Sequence, residues 1–441
     1  MTYSFREPLT RMADGTIKQV NPFSETEVWT VPGRAHRPLE IKHPDPHPLD
    51  AHDFDQSCTF CTQRVLETPP EKSRIVRKGD DAVIYRGTKV DLLAKEWEFR
   101  RIPNLFEIVS FDYWEANYGY QLTPSARQRM EEYLADPAGK AHVMSVLYSK
   151  MQSQMTEEEW DALSDWDRNQ LARSFFGSGH DLIVARRHYV DDAEQSTQLA
   201  SAGTLTPQEH EWYMRLTVDA QKDLYDQNRY ARYVQVFQNW LKPAGASFDH
   251  LHKQLVAIDQ RTTHARMEIE KVRANPNLYN EAAVNYASFH NLVIAENKYA
   301  VMIAGYGHRY PTLEVWSRSA HCQPWDHTPE ELRGVSDLVH AMHAATGPLI
   351  PSNEEWYCMP IDSDVNIPWK ILLKWRVSTL AGFEGGTKIY VNTIDPWALR
   401  DRVVPRLLEL RAEGKIATNM NIATECSNLI NSLKYNEFLQ H

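Results

Sequence analysis

Apolar positions along the chain change period several times, and each change predicts an element. Ala82 to Arg86 and the stretch around Ile102 read as strands near a turn. Thr123-Pro124 opens a helical segment that runs to Ala135, before Asp136-Pro137. Thr156-Glu157-Glu158-Glu159 fits a capping box, in which a hydroxyl and a Glu three residues later each satisfy an orphan N–H. Trp160, Leu163, Trp166 and Leu171 fall on the turns that follow. Leu182 to Val190 reads as a strand. Thr206-Pro207-Gln208-Glu209 is a second capping box, with Pro at the first helical position, and its helix runs to Tyr225 with Trp212, Leu216 and Leu224 on one side. Tyr230 to Trp240 then alternates with the period of a strand. A loop of small residues follows, and a further strand spans His250 to Ile258.

The second half repeats this rhythm. Asn291 to Glu296, Tyr299 to Ala304 and Thr312 to Ser317 read as strands, and Thr328-Pro329-Glu330-Glu331 caps a helix carrying Leu332, Val335, Leu338, Val339 and Met342. Trp369 to Thr379 and Lys388 to Asn392 are further strands, and Pro396 to Gln440 reads as mostly helical. A strand–strand–helix–strand block that occurs twice predicts a duplicated α+β unit. Residues 1–60, rich in Pro, His and Asp, read as an extended arm.

Composition narrows the classes. Of 441 residues, 42% are hydrophobic and 24% charged, as in globular proteins generally. The net charge of −11 argues against a nucleic-acid partner, which calls for a basic surface. It leaves room for a small phosphate ligand held by a few arginines. No apolar run approaches the length of a membrane span, and Met1 to Arg11 lacks a signal-peptide core, so the expected location is cytoplasmic. The five cysteines are odd in number, which predicts no disulfide framework. Cys322, Cys358 and Cys426 read as buried thiols. Cys58 and Cys61 form a C-x-x-C pair, compatible with a metal site, a redox pair or two unrelated thiols.

The densest chemistry lies between Asn239 and Gln254, where a loop of small residues ends in Ser247-Phe248-Asp249-His250-Leu251-His252-Lys253-Gln254. On a strand, His250, His252 and Gln254 share one face. Glycine and its small neighbours let backbone N–H groups approach a phosphate closely. A neutral imidazole can attack phosphorus and hold a nucleotidyl group covalently, provided its other nitrogen has an acceptor that fixes the tautomer. The Ser247 hydroxyl and the Gln254 amide are donors for phosphate oxygens. Two histidines on a solvated strand face would read the same way by chance.

The stretch Gly245 to Gln254 resembles the signature of the galactose-1-phosphate uridylyltransferase family, a branch of the histidine-triad superfamily. Other landmarks follow in that family's order: Trp29 to Pro38 with Arg34 and Arg37, Cys58-Thr59-Phe60-Cys61, Pro103-Asn104-Leu105-Phe106, Val184 to His188, and Ala381-Gly382-Phe383-Glu384-Gly385-Gly386-Thr387. The resemblance implies an α+β fold of two histidine-triad-like units, each an antiparallel sheet with flanking helices. It implies an arm and first-unit start at 1–110, a helical insertion at 111–177, the rest of the catalytic unit at 178–285, a second unit at 286–400, and a helical tail at 401–441.

By that resemblance His252 is the nucleophile, with Gln254 and Ser247 beside it. Cys58, Cys61, His188 and His250 would hold a structural Zn²⁺. Arg34, Arg37, Asn104, Asn239, Gly245, Glu384 and Lys388 would bind substrate, the last two across a homodimer. The implied reaction moves a nucleoside monophosphate from a nucleotide sugar to a sugar-1-phosphate, as in galactose metabolism. Alternatives are phosphorolysis of an ADP-sugar or a dinucleoside polyphosphate through the same intermediate, hydrolysis, and non-catalytic nucleotide binding. Leu105 stands where uridylyltransferases commonly carry Asp, which favours the ADP-sugar branch. The second unit has Ile367-Pro368-Trp369-Lys370-Ile371-Leu372 where relatives carry a further H-x-H, so no iron is expected. His180 reads as a structural histidine, and the aromatics of the insertion read as core.

Overall fold

The structure, a computed structural model, describes residues 6–33, 45–93 and 95–439. Strands β1 (Leu9–Arg11), β2 (Ile17–Val20) and β3 (Glu27–Thr30) open the chain. The first half continues with β4 (Ser73–Lys78), β5 (Asp81–Arg86), β6 (Phe99–Pro103), β7 (His180–Ala185), β8 (Tyr233–Trp240) and β9 (His252–Ile258). The second holds β10 (Val293–Glu296), β11 (Ala300–Ala304), β12 (Thr312–Ser317), β13 (Ser352–Tyr357), β14 (Lys370–Trp375), β15 (Ile389–Val391) and β16 (Asn421–Ile422).

The duplication is visible in one sheet. Twelve strands run in the order β16-β10-β11-β12-β14-β13-β8-β9-β7-β6-β4-β5, every neighbour antiparallel. Outward from the central β8–β13 pair the halves match: β9 and β7 on one side, β14 and β12 on the other. Each half threads two strands, a long helix and two strands. Those helices, Pro207–Gln227 and Pro329–Thr346, begin with the capping boxes read from sequence and pack together through His210, whose Nδ1 lies 2.8 Å from the Ser336 hydroxyl. Behind β9, the fully buried Lys253 ammonium meets Glu354 of β13 at 2.6 Å, and Glu354 also takes His343 at 2.6 Å. Such pairs contribute less net stability than they cost to break singly, and this one joins β9 of the first half to β13 and its preceding helix in the second.

Three expectations need correction. The N-terminal segment is not simply an arm: β1, β2 and β3 form an antiparallel meander that takes β15 in parallel. Alternate inward residues such as Ile17 and Val28 bury it, and the Asn21 amide donates to the Tyr306 carbonyl at 3.1 Å. The segment after Thr156 is two helices, Glu157–Ala162 and Asp165–Gly177, because Ser164 starts a second capping box with Asp167. The tail is helical through Pro396–Ala412 and then turns to β16 and short turns, consistent with Gly414 at φ +69°. Between β6 and β7 lie five helices from Phe111 to Gly177. Trp114 there is fully buried, whereas Tyr113 and Tyr118 reach out to donate to Asp259, each at 2.5 Å.

Candidate active site and metal centre

Four side chains from three separate parts of the chain converge beside β9. Cys58 Sγ and Cys61 Sγ are 3.8 Å apart, and His188 Nδ1 and His250 Nδ1 are 3.3 Å apart. The four sulfur–nitrogen separations are 3.6, 3.5, 3.4 and 3.8 Å. These are six edges of a compact tetrahedron, and all four residues are suited to hold a metal ion. Cys61 is drawn well below the usual thiol range, first by the contact with Cys58 and further by His188 and His250, against burial; the same contact and burial raise Cys58. His250 Nε2 is 2.6 Å from the Ala185 carbonyl, the backbone acceptor that metal-bound imidazoles commonly use to fix ring orientation.

His252 begins β9, and His250 precedes the strand in place of lying on it. The consequence is chemical. His252 Nδ1 donates to the His250 carbonyl at 2.7 Å, so the proton sits on Nδ1 and Nε2 keeps its lone pair. Burial pushes the ring down to about 4, outweighing the carbonyl, which pulls the other way. The imidazole is therefore neutral at neutral pH, the form a nucleophile requires. Phe60, between the two cysteines, packs against the His252 ring at 5.2 Å and against Phe248 at 4.7 Å. The C-x-x-C turn thus packs against the His252 ring as well as carrying two members of the cluster.

Gln254, two residues on, shares the His252 face. Its Oε1 lies 3.0 Å from His180 Nε2, and the backbone N–H of Ile108 donates to His180 Nδ1 at 3.1 Å. A backbone donor cannot be flipped, so Nδ1 is the acceptor and Nε2 carries the proton that Gln254 accepts. The Gln254 amide nitrogen is left without a partner among the described residues, free to donate. The Asn104 amide nitrogen lies 3.0 Å from the same His180 nitrogen, while its oxygen accepts from Phe106 N–H at 3.0 Å. Burial pushes His180 down to about 4, with the Gln254 bond opposing. His180, read from sequence as a structural histidine, is buried with both ring nitrogens hydrogen-bonded, and one of its partners is Gln254.

The loop before β9 contains two residues with positive φ. Leu241 adopts φ +65° and Gly245 φ +89°; the first is a costly conformation for a branched residue, and the second is open mainly to glycine. Ser247 is exposed, with no hydroxyl hydrogen bond among the described residues. The Asn239 amide reaches the Gly245 carbonyl at 3.5 Å, and its oxygen accepts from Asn353 at 2.7 Å.

A family model described as a domain of unknown function, DUF4921, matches residues 12–435. The chain belongs to the DUF4921 family. Among curated proteins, this DUF4921 chain is similar to ADP-glucose phosphorylase from Arabidopsis thaliana, 22% identical over 383 residues that cover 84% of the chain and 88% of the relative. Among solved structures, its fold matches an Arabidopsis ADP-glucose phosphorylase with bound ADP-glucose at a TM-score of 0.57 and 17% identity, covering 88% of this chain and 98% of that one. A GalT-like protein from the same plant matches at 0.53 and 16%, with the same coverage. The α+β fold that the motifs implied is the fold of these two solved structures.

Other predicted site residues fall in different places. Arg34 and Arg37 lie outside the described residues. Glu384 lines a cavity of about 1240 Å³ that Trp29 and Pro243 also line, and it accepts from Ala381 N–H at 3.1 Å. Lys388 is exposed and ends the Gly382–Thr387 helix at φ +60°, outside the lining of that cavity. In the second half of the DUF4921 fold, Lys370 starts β14 as His252 starts β9. Its ammonium pairs with Glu268 at 2.8 Å and lies 4.5 Å from the Phe23 ring centre and 4.9 Å from that of Trp316. About 20 Å³ of free space remains there, so side chains from both halves of the chain fill the position that corresponds to His252. Among the described residues no helix is long and apolar enough to cross a membrane.

Proposed function

We propose that this protein is a nucleotidyltransferase that carries a nucleoside monophosphate on His252, and that it uses inorganic phosphate to release it, as a nucleotide-sugar phosphorylase. The observation that carries this reading is the 2.7 Å bond from His252 Nδ1 to the His250 carbonyl, which leaves Nε2 as the free lone pair. Nε2 attacks the α-phosphorus of the nucleotide sugar, the bond to the sugar-bearing phosphate breaks, and a sugar-1-phosphate leaves. The positive charge of the phosphorylated ring rests on Nδ1–H, beside the carbonyl. Phosphate then attacks the same phosphorus, the P–N bond breaks, and a nucleoside diphosphate departs. No proton has to be supplied in either half.

Gln254 and Ser247 donate to oxygens on the transferred phosphorus, and Asn104, Asn239, Gly245, Arg34 and Arg37 hold the nucleotide. Glu384 faces the sugar, and Lys388 stands near the same segment. The similarity to ADP-glucose phosphorylase and Leu105 in place of Asp support an adenine nucleotide and phosphate as acceptor. Zn²⁺ is the metal best suited to Cys58, Cys61, His188 and His250. Tetrahedral zinc places ligand atoms about 3.8 Å apart for S–S, about 3.6 Å for S–N and about 3.3 Å for N–N, the pattern these residues adopt. With four protein ligands its role is to fix the His250 carbonyl under His252.

Isolated adenylyl-enzyme tests the acceptor. Phosphate is expected to discharge it to ADP faster than galactose 1-phosphate forms ADP-galactose; the reverse order supports transfer between sugar phosphates. His180→Ala is expected to slow adenylyl transfer roughly 10- to 100-fold, the scale of a misplaced catalytic group. Because His180 acts through Gln254, the loss should fall on kcat, with KM and metal content little changed. An unchanged kcat would remove His180 from the mechanism.

A further inference from the structure

Two arginines in the cavity beside the nucleophile loop have no role in the scheme above. Arg376 follows β14, and Arg309 precedes β12. Both guanidinium groups lie over the Tyr310 ring, at 4.7 and 5.3 Å from its centre. Arg376 donates to Asn353 Oδ1 at 2.7 Å, and its Nε–H has no acceptor. Among the described residues neither arginine pairs with a carboxylate. Two cations at one aromatic ring, neither offset by a carboxylate, favour an anion in the cavity that both line.

The pair is linked to the catalytic strand. Asn353 joins Arg376 to Asn239 at 2.7 Å, and Asn239 lies two residues along β8 from Phe237, the register partner of Gln254. Arg376 also lines a second cavity, of about 320 Å³, with Phe237 and Asn239. It therefore stands between the face carrying His252 and the larger cavity that Arg309 and Glu384 line. Arg376 follows β14, three strand spacings or roughly 14 Å from β9, and its side chain spans part of that distance by reaching back to Asn353 of β13.

We infer that Arg376 and Arg309 form the site for the phosphate dianion that enters or leaves opposite His252, either inorganic phosphate or the phosphate of a sugar-1-phosphate. Planar guanidinium groups recognise that anion through paired N–H donors. The assignment rests on the nucleotidyl-transfer reading, but its test does not.

Isothermal titration of the full chain with inorganic phosphate, and separately with glucose 1-phosphate, measures the site without turnover. Arg376→Ala and Arg309→Ala are each expected to weaken phosphate binding by roughly tenfold or more, as for loss of a charged hydrogen bond, with Arg376→Lys intermediate. Equal weakening for both ligands assigns the site to the phosphate group they share. Unchanged phosphate affinity in both alanine variants overturns the inference, as does weakening confined to glucose 1-phosphate. Retained metal content and melting temperature establish that the variants are folded. If no nucleotidyl-histidine ever forms, the titration still reads the arginine pair, so the two failures are distinguishable.

Discussion

Replacing His252 with glycine is expected to abolish adenylyl transfer, by roughly 10⁴-fold or more, as for loss of a covalent nucleophile. No neighbouring side chain can take over. His250 is turned into the Cys58–Cys61–His188 cluster by its Nδ1 and bonded to Ala185 through its Nε2. His180 lends its lone pair to Ile108 N–H. Added imidazole should restore part of the rate, because the ring fills the space under Phe60 and finds the His250 carbonyl still in place. Metal content should be unchanged. Steady-state ADP formation with ADP-glucose and phosphate, with and without imidazole, checks both halves; a variant that keeps even a tenth of the rate would mean that another group attacks.

The second large effect concerns the metal centre. Cys61→Ser is expected to release the metal and to lower stability by several kcal/mol, since the binding energy of a structural site is folding energy. Cys61 is fully buried and lies within 3.8 Å of the ligand atoms of all three partners, so a poorer ligand there weakens the whole tetrahedron. Activity should fall with the metal, because the Cys58–Cys61 turn carries Phe60 against His252 and the cluster holds the His250 carbonyl. Metal analysis with a thermal melt measures the first part, and turnover the second. A metal-free Cys61→Ser protein that melts at the wild-type temperature and turns over normally would assign Cys58 and Cys61 another role.

Much of this arrangement was legible before any coordinates. The capping boxes at Thr206 and Thr328 announced the two long helices, and alternating residues announced β8. The ordered motifs brought Cys58, Cys61, His188 and His250 to one point although the chain separates Cys61 from His188 by more than a hundred residues. What stayed hidden depends on contacts between distant segments. His180 is an ordinary histidine until Ile108 N–H fixes its tautomer and Gln254 accepts its proton. Phe60 sits unremarkably inside a C-x-x-C. Arg309 and Arg376 share Tyr310 only because β12 and β14 pair, and the packing of β1, β2 and β3 on the second half leaves no periodic trace in so short a run of strands.

The most direct measurement is the intact mass of the wild-type chain mixed with ADP-glucose in the absence of phosphate. The account predicts a mass increase of one adenylate, mapped by peptide analysis to His252, acid-labile as a phosphoramidate and removed when phosphate is added. Failure to label with ADP-, UDP- and GDP-sugars alike, or a nucleotidyl group found on any other residue, would contradict it.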